Sequence, residues 1–204
     1  AKGMEQISLI MDHLRDTKIE SFDNFRVKER LDRRRGDPQP HLSKTDTSAR
    51  NMLIYYIDDL PQTAGIKITV RPSGTEPKIK MYFEVIGKPC NLDNLADEKT
   101  KIVGIRQELE KTFMQYCYQL LEVDFPDRGF LLFWQLPLDD KLKYFDIEDK
   151  IVNLKNTSDA RVRKNELDKL LMFLGANPVE KVDNAFREKY SAGILEYLEL
   201  SGVE

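Results

Sequence analysis

The sequence predicts an α+β protein: an antiparallel sheet of about four strands covered by two helices, followed by a mostly helical extension. Three patterns carry this expectation. Met4, Ile7, Met11 and Leu14, with Ile10 beside them, recur at helical spacing. From residue 25 to residue 86 dense β-branched and aromatic runs alternate at period 2 and are joined by short connections, which favours antiparallel pairing. Ile102, Ile105, Leu109, Phe113, Tyr116 and Leu120 then hold one face of a long second helix. Two amphipathic helices flanking consecutive strands can both bury their stripes on one face of a sheet.

Taken in order, residues 3–15 read as the first helix. Phe22, Phe25 and Val27 suggest a short strand near 25–31. Residues 32–48 are charged and polar, hold Pro38 and Pro40, and read as an exposed loop. Met52 to Ile57 reads as a strand, and "DDLPQTAG" from Asp58 to Gly65 as a long turn. Strands follow near 66–71 and 78–86, and the long helix spans about 94–121. The character changes after residue 121. "GFLLFWQLPL", ended by Pro137, reads as a strand or a docking segment. Helical patterns follow near 139–154, 159–174 and 178–199, with Leu167, Leu170, Leu171 and Leu174 in one stripe. Gly175 suits a helix C-terminus. Asn177, Pro178 and Glu180 read as N-cap, first-turn proline and capping-box glutamate of a helix continued by Val182, Phe186 and Tyr190. Two regions are therefore expected, 1–121 and 122–204.

Hydrophobic residues make up 41% of the 204 and charged residues 33%, enough for a sizeable core under a solvated surface. The formal net charge of −3 argues against a general binder of nucleic acid or acidic membrane. Cys90 and Cys117 lack metal-ligand spacing, and free thiols fit a reducing cytoplasm. Residues 1–20 hold no apolar signal segment, and the longest apolar run, Phe130 to Trp134, is far short of a bilayer span. A soluble, cytoplasmic protein is expected. The chain opens Ala-Lys-Gly-Met and enters a helical pattern at once, which reads as part of a longer protein.

"RPSGTEPKIKMYFEV", residues 71–85, joins two good strands through a turn that is rigid and polar. A phosphate dianion calls for a guanidinium fork, hydroxyl donors and converging backbone N–H groups. Arg71 supplies the first, and Ser73 and Thr75 the second. Gly74 permits φ > 0 and a close backbone approach, while Pro72 and Pro77 limit the entropy lost on binding. Lys78 and Lys80 add positive charge as auxiliary groups. A tight polar hairpin with Arg71 paired to a surface carboxylate accounts for the same residues. The segment lacks the GxxxxGK[ST] pattern and enters a strand, so no helix N-terminus is implied.

The seven residues RPSGTEP between two strands resemble the signature of the C-terminal domain, domain 4, of the α-D-phosphohexomutases, the phosphoglucomutase/phosphomannomutase family. The "PKIK" continuation is most similar to the bacterial phosphoglucomutase branch and its phosphopentomutase relatives. The opening "GMEQISLIMDHLR" and the long helix after the loop extend the resemblance over roughly residues 1–121. It implies a TATA-binding-protein-like fold in which Arg71, Ser73, Gly74 and Thr75 hold the non-reacting phosphate of a sugar phosphate. The family's phosphoserine, its aspartate Mg²⁺ site and its sugar-binding loop belong to earlier domains, and this chain has neither a DxDxD-like loop nor the family's serine context. The resemblance therefore implies an intramolecular phosphotransferase, interconverting hexose 1-phosphate and 6-phosphate, whose Mg²⁺ and sugar 1,6-bisphosphate serve the intact enzyme. This chain alone is expected to be inactive, with no catalytic or metal-binding residue of its own. Phosphopentomutase, phosphomannomutase and sugar-bisphosphate synthase are alternatives within that class. A noncatalytic sugar-phosphate or anion module with a helical interaction tail is the alternative outside it.

Other residues are set aside. His13 and His41 are far apart and lack a paired nucleophile. The adjacent pairs Asp58–Asp59 and Asp139–Asp140 diverge on a strand or helix and make poor metal sites. "RVKERLDRRR", residues 26–35, reads as a solvated face, and Glu76 as a turn residue. Residues 122–204 read as a small helical cap, or as a contact with missing N-terminal domains or another subunit, with Trp134 beside Phe130 and Phe133 as anchor.

Overall fold

The computed structural model describes residues 2–36, 43–74 and 78–202. The chain divides into two compact units, Ala1–Asp124 and Phe125–Glu204.

The first unit contains α1 (Lys2–Asp16), β1 (Ser21–Phe22), β2 (Phe25–Asp32), α2 (Arg33–Gly36), α3 (Lys44–Ala49), β3 (Leu53–Ile57), β4 (Thr63–Pro72), β5 (Ile79–Gly87) and α4 (Leu95–Leu120). The strands form one five-stranded antiparallel meander in the order β1-β2-β3-β4-β5. An α+β architecture is thus observed. The fifth strand is the two-residue β1, too short to leave a period-2 signal. Leu53, Tyr55 and Ile57 lie opposite Val70, Ile68 and Ile66, and all six are buried. Ile7, Ile10, Met11 and Leu14 of α1 and Leu109, Phe113 and Cys117 of α4 close the same core. Phe113 meets Phe22 at 4.9 Å and Phe83 at 5.8 Å, both edge to face.

Polar groups fix how α1 docks. The Tyr55 hydroxyl donates to the Leu14 carbonyl at 2.6 Å, and Arg30 donates to the carbonyls of Leu14 and Thr17 at 2.9 and 2.7 Å. These bonds satisfy acceptors that the end of α1 leaves unpaired. Arg15, buried, pairs with Asp32 at 3.0 Å and Asn51 at 2.6 Å. The basic run 26–35 is mostly exposed, as a solvated face is, and within it Arg30 also serves the end of α1. The polar stretch 32–48 differs from a plain loop: it forms α2 and α3, while residues 37–42 lie outside the described residues. The turn before β4 is shorter than expected, because Thr63 is buried and its side chain bonds back to both backbone groups of Leu60.

The second unit holds α5 (Leu138–Asn153), α6 (Ala160–Leu171), α7 (Asp183–Tyr190) and α8 (Ile194–Tyr197). Its own core joins Tyr144, Ile151, Leu167, Leu171, Leu174, Val182, Phe186, Ile194 and Leu198. Three expectations are corrected. "GFLLFWQLPL" is not a strand: Asp127–Leu131 is a 3-10 turn, and no sheet neighbour exists for it among the described residues. The pattern over 178–199 is two helices, because Ser191 adopts φ 58 and its N–H closes onto the Arg187 carbonyl at 2.8 Å. Asn177 is no N-cap: it sits at φ 50, outside the extended region a cap needs, and α7 starts at Asp183. Gly175, at φ 72 and ψ −145, does end the turn after α6, in a conformation nearly closed to other residues. Trp134 is 76% exposed.

Candidate functional site

The hairpin between β4 and β5 presents the residues singled out above. The ladder pairs Thr69 with Tyr82, Arg71 with Lys80, and Pro72 with Ile79. The Ser73 N–H donates to the Lys78 carbonyl at 2.8 Å and closes the loop. Side chains alternate across a strand. Val70 and Ile68 face the core, so Arg71 and Thr69 face the other way, and the pairing carries Lys80 and Tyr82 to that same open face. Ser73 is half-buried and Gly74 and Lys78 are exposed. Thr75, Glu76 and Pro77 lie outside the described residues, as does His41.

Two cations thus stand directly opposite each other on one rung. Like charges in that position repel, and an anion between them would turn the repulsion into attraction. Among the described residues Arg71 has no carboxylate partner. Its Nη2 donates to the Tyr82 hydroxyl at 3.4 Å. That bond, and the charges of Arg71 and Lys80, hold the Tyr82 phenol below its usual range against an opposing effect of desolvation. Tyr82 is the member of the cluster that the sequence reading missed. Its spacing of two from Lys80 puts it on the same face, but only the ladder brings that face beside Arg71.

The arrangement can hold a tetrahedral oxyanion with a fork of N–H groups, an ammonium and hydroxyls. Residues set aside have structural occupations. His13 Nε2 lies 2.8 Å from the Tyr116 hydroxyl, and Asp58 pairs with Arg26 at 3.6 Å. Asp139 and Asp140 fall in the first turn of α5, where the helix dipole favours them. Burial pushes the Cys117 thiol up to about 12, which removes it as a nucleophile. Among the described residues no three His, Cys, Asp or Glu side chains converge to hold a metal ion, and no helix is long and apolar enough to cross a membrane. No family model, curated protein or solved structure matches the chain.

Proposed function

We propose that residues 1–121 are the phosphate-anchoring domain of a phosphoglucomutase-like enzyme. Arg71, Ser73, Gly74 and Thr75 hold the non-reacting phosphate of a hexose phosphate, and Lys78 and Lys80 assist. The observation that supports this reading best is the rung of Arg71 and Lys80 on the open face, beside a hydroxyl-bearing loop and without a described carboxylate on Arg71. Phosphoryl transfer belongs to the parent's other domains, which bring the phosphoserine and Mg²⁺. This domain orients the sugar phosphate so that either phosphate can occupy the same grip while the bisphosphate turns around. Closure over the substrate would keep water from the phosphoenzyme. In the tail, exposed Trp134 offers an anchor to those domains.

Amide NMR titration with glucose 6-phosphate, sulfate and glucose tests the reading. Both anions should shift the amides of residues 73–75 with a dissociation constant on the order of millimolar, and glucose should not. Arg71→Ala should abolish the shifts. Silent amides, or shifts that survive in Arg71→Ala, would count against the site.

A further inference from the structure

We infer that the free edge of β5 is a homodimer interface: two copies of this chain join there, antiparallel, about a two-fold axis at Tyr82, into one continuous sheet. The inference does not depend on the anion site.

β5 is the last strand of the meander. In an antiparallel ladder successive residues turn their backbone groups alternately toward one neighbour and away from it. The bond from the Ser73 N–H to the Lys78 carbonyl marks a hydrogen-bonded pair. By alternation Lys80, Tyr82 and Glu84 turn their backbone groups toward β4, and Ile79, Met81, Phe83 and Val85 turn theirs outward. Among the described residues no backbone group bonds to that outward row. The strand runs nine residues without proline, and the ladder is irregular only near its far end, between Thr63 and Gly65. Folded proteins usually blunt so long and regular an edge unless it is used.

Charge and ladder length together set the register. With the axis at Tyr82, Met81 lies opposite Phe83 of the second copy and Ile79 opposite Val85 of the second copy, so outward groups meet outward groups. The same register puts Lys80 directly opposite Glu84 of the second copy, twice by symmetry. A two-residue slide one way sets Lys80 against Ile86 and Lys78 against Lys88, which are like charges. A slide the other way sets Lys78 against Glu84 but leaves Lys80 against Tyr82 and shortens the ladder, so charge excludes the first slide and ladder length disfavours the second. Among the described residues Lys80 has no acidic partner, and Glu84, bound to Lys67 at 2.8 Å, keeps a half-exposed carboxylate that can accept a second cation.

Packing points the same way. Ile66, Ile68 and Val70 of β4 are at most 2% exposed, whereas their neighbours Phe83, Met81 and Val85 on β5 remain half-open. A groove of about 660 Å³ lined by Met81 to Glu84, Thr69, Arg106 and Glu110 borders this strand. Side chains of a second β5 would cover what the first leaves open.

Sedimentation equilibrium on the full chain across a concentration series tests the interface. A species of twice 23.8 kDa that dissociates on dilution is expected. Lys80→Glu and Glu84→Lys each oppose like charges at both symmetric contacts, and each should weaken association about tenfold or more. Mixing those two variant chains opposes unlike charges at both contacts and should restore association as a heterodimer. Amide exchange reads the backbone: Met81 and Phe83 should slow as concentration rises, while Lys80 and Tyr82 stay protected throughout. A monomer at every concentration overturns the inference. So does a dimer indifferent to both substitutions, a mixture no tighter than the single variants, or exchange at Met81 and Phe83 that ignores concentration.

Discussion

Arg71 is held in place from two directions. Its backbone belongs to the β4–β5 ladder, and its guanidinium rests on the Tyr82 hydroxyl. The backbone bonds do not depend on the side chain, so truncation should leave the fold intact: Arg71→Ala should change stability by no more than about 0.5 kcal/mol, read as an almost unmoved melting temperature. The same substitution should raise the Tyr82 pKa, since Arg71 favours the phenolate. Ultraviolet titration of wild type and Arg71→Ala, each referenced to a Tyr82→Phe background, measures this. A Tyr82 titration unmoved by loss of Arg71 would mean that the two side chains are not in contact in solution.

At the scale of elements, the second unit is tied by one buried carboxylate. Glu148 of α5, its side chain 2% exposed, accepts two bonds from Arg128, one from Lys189 of α7 at 2.9 Å and one from the Tyr144 hydroxyl at 3.2 Å. Burial pushes its carboxyl up, but Arg128 and Lys189 outweigh burial and hold it below the ordinary 4.5. A carboxylate depressed in the native state contributes stability that is whole above its unfolded pKa and is lost as pH falls through the native value. Glu148→Gln leaves Arg128 and Lys189 without their acid, and should cost about 2 kcal/mol at neutral pH, less than a fully buried pair because both cations reach solvent. The deficit should shrink as pH drops below roughly 4.5, where the wild type also loses the charge. Melting curves across that range check both statements; a deficit independent of pH would mean that packing, not charge, holds these helices.

At the scale of the molecule, the two units have separate apolar cores. A fragment of residues 2–124 should therefore fold alone and keep the anion response of the loop, which a ¹⁵N correlation spectrum with glucose 6-phosphate tests. A collapsed spectrum would make the tail a part of the first fold. The full chain supplied with Mg²⁺, glucose 1-phosphate and glucose 1,6-bisphosphate should give no turnover, because the proposed division leaves the transfer chemistry to other domains. Measurable mutase activity would end that division.

Local patterns were enough for α1, β2 to β5 and α4 of the first unit, but not for the two-residue β1 or for α2 and α3, which lie in a stretch that reads as loop. Periods of 3.6 and 2 report directly which side chains must leave water, so α1, β3, β4, β5 and α4 lie close to where their apolar stripes put them. The loop residues were legible for the same reason, since Arg71, Ser73 and Gly74 are neighbours in sequence. The break between α7 and α8 was not, because Tyr190, Ile194 and Leu198 keep a helical spacing through it and serve one core. What breaks the helix is the left-handed backbone at Ser191, with Asp183 reaching across to accept the Ile194 N–H at 2.7 Å. Tertiary structure alone decided that Lys80 and Tyr82 share a face with Arg71, that Arg15 and Arg30 serve the fold, and that β5 ends the sheet. Those facts rest on which strand lies beside which, a choice that pairing across the chain makes and local periodicity does not.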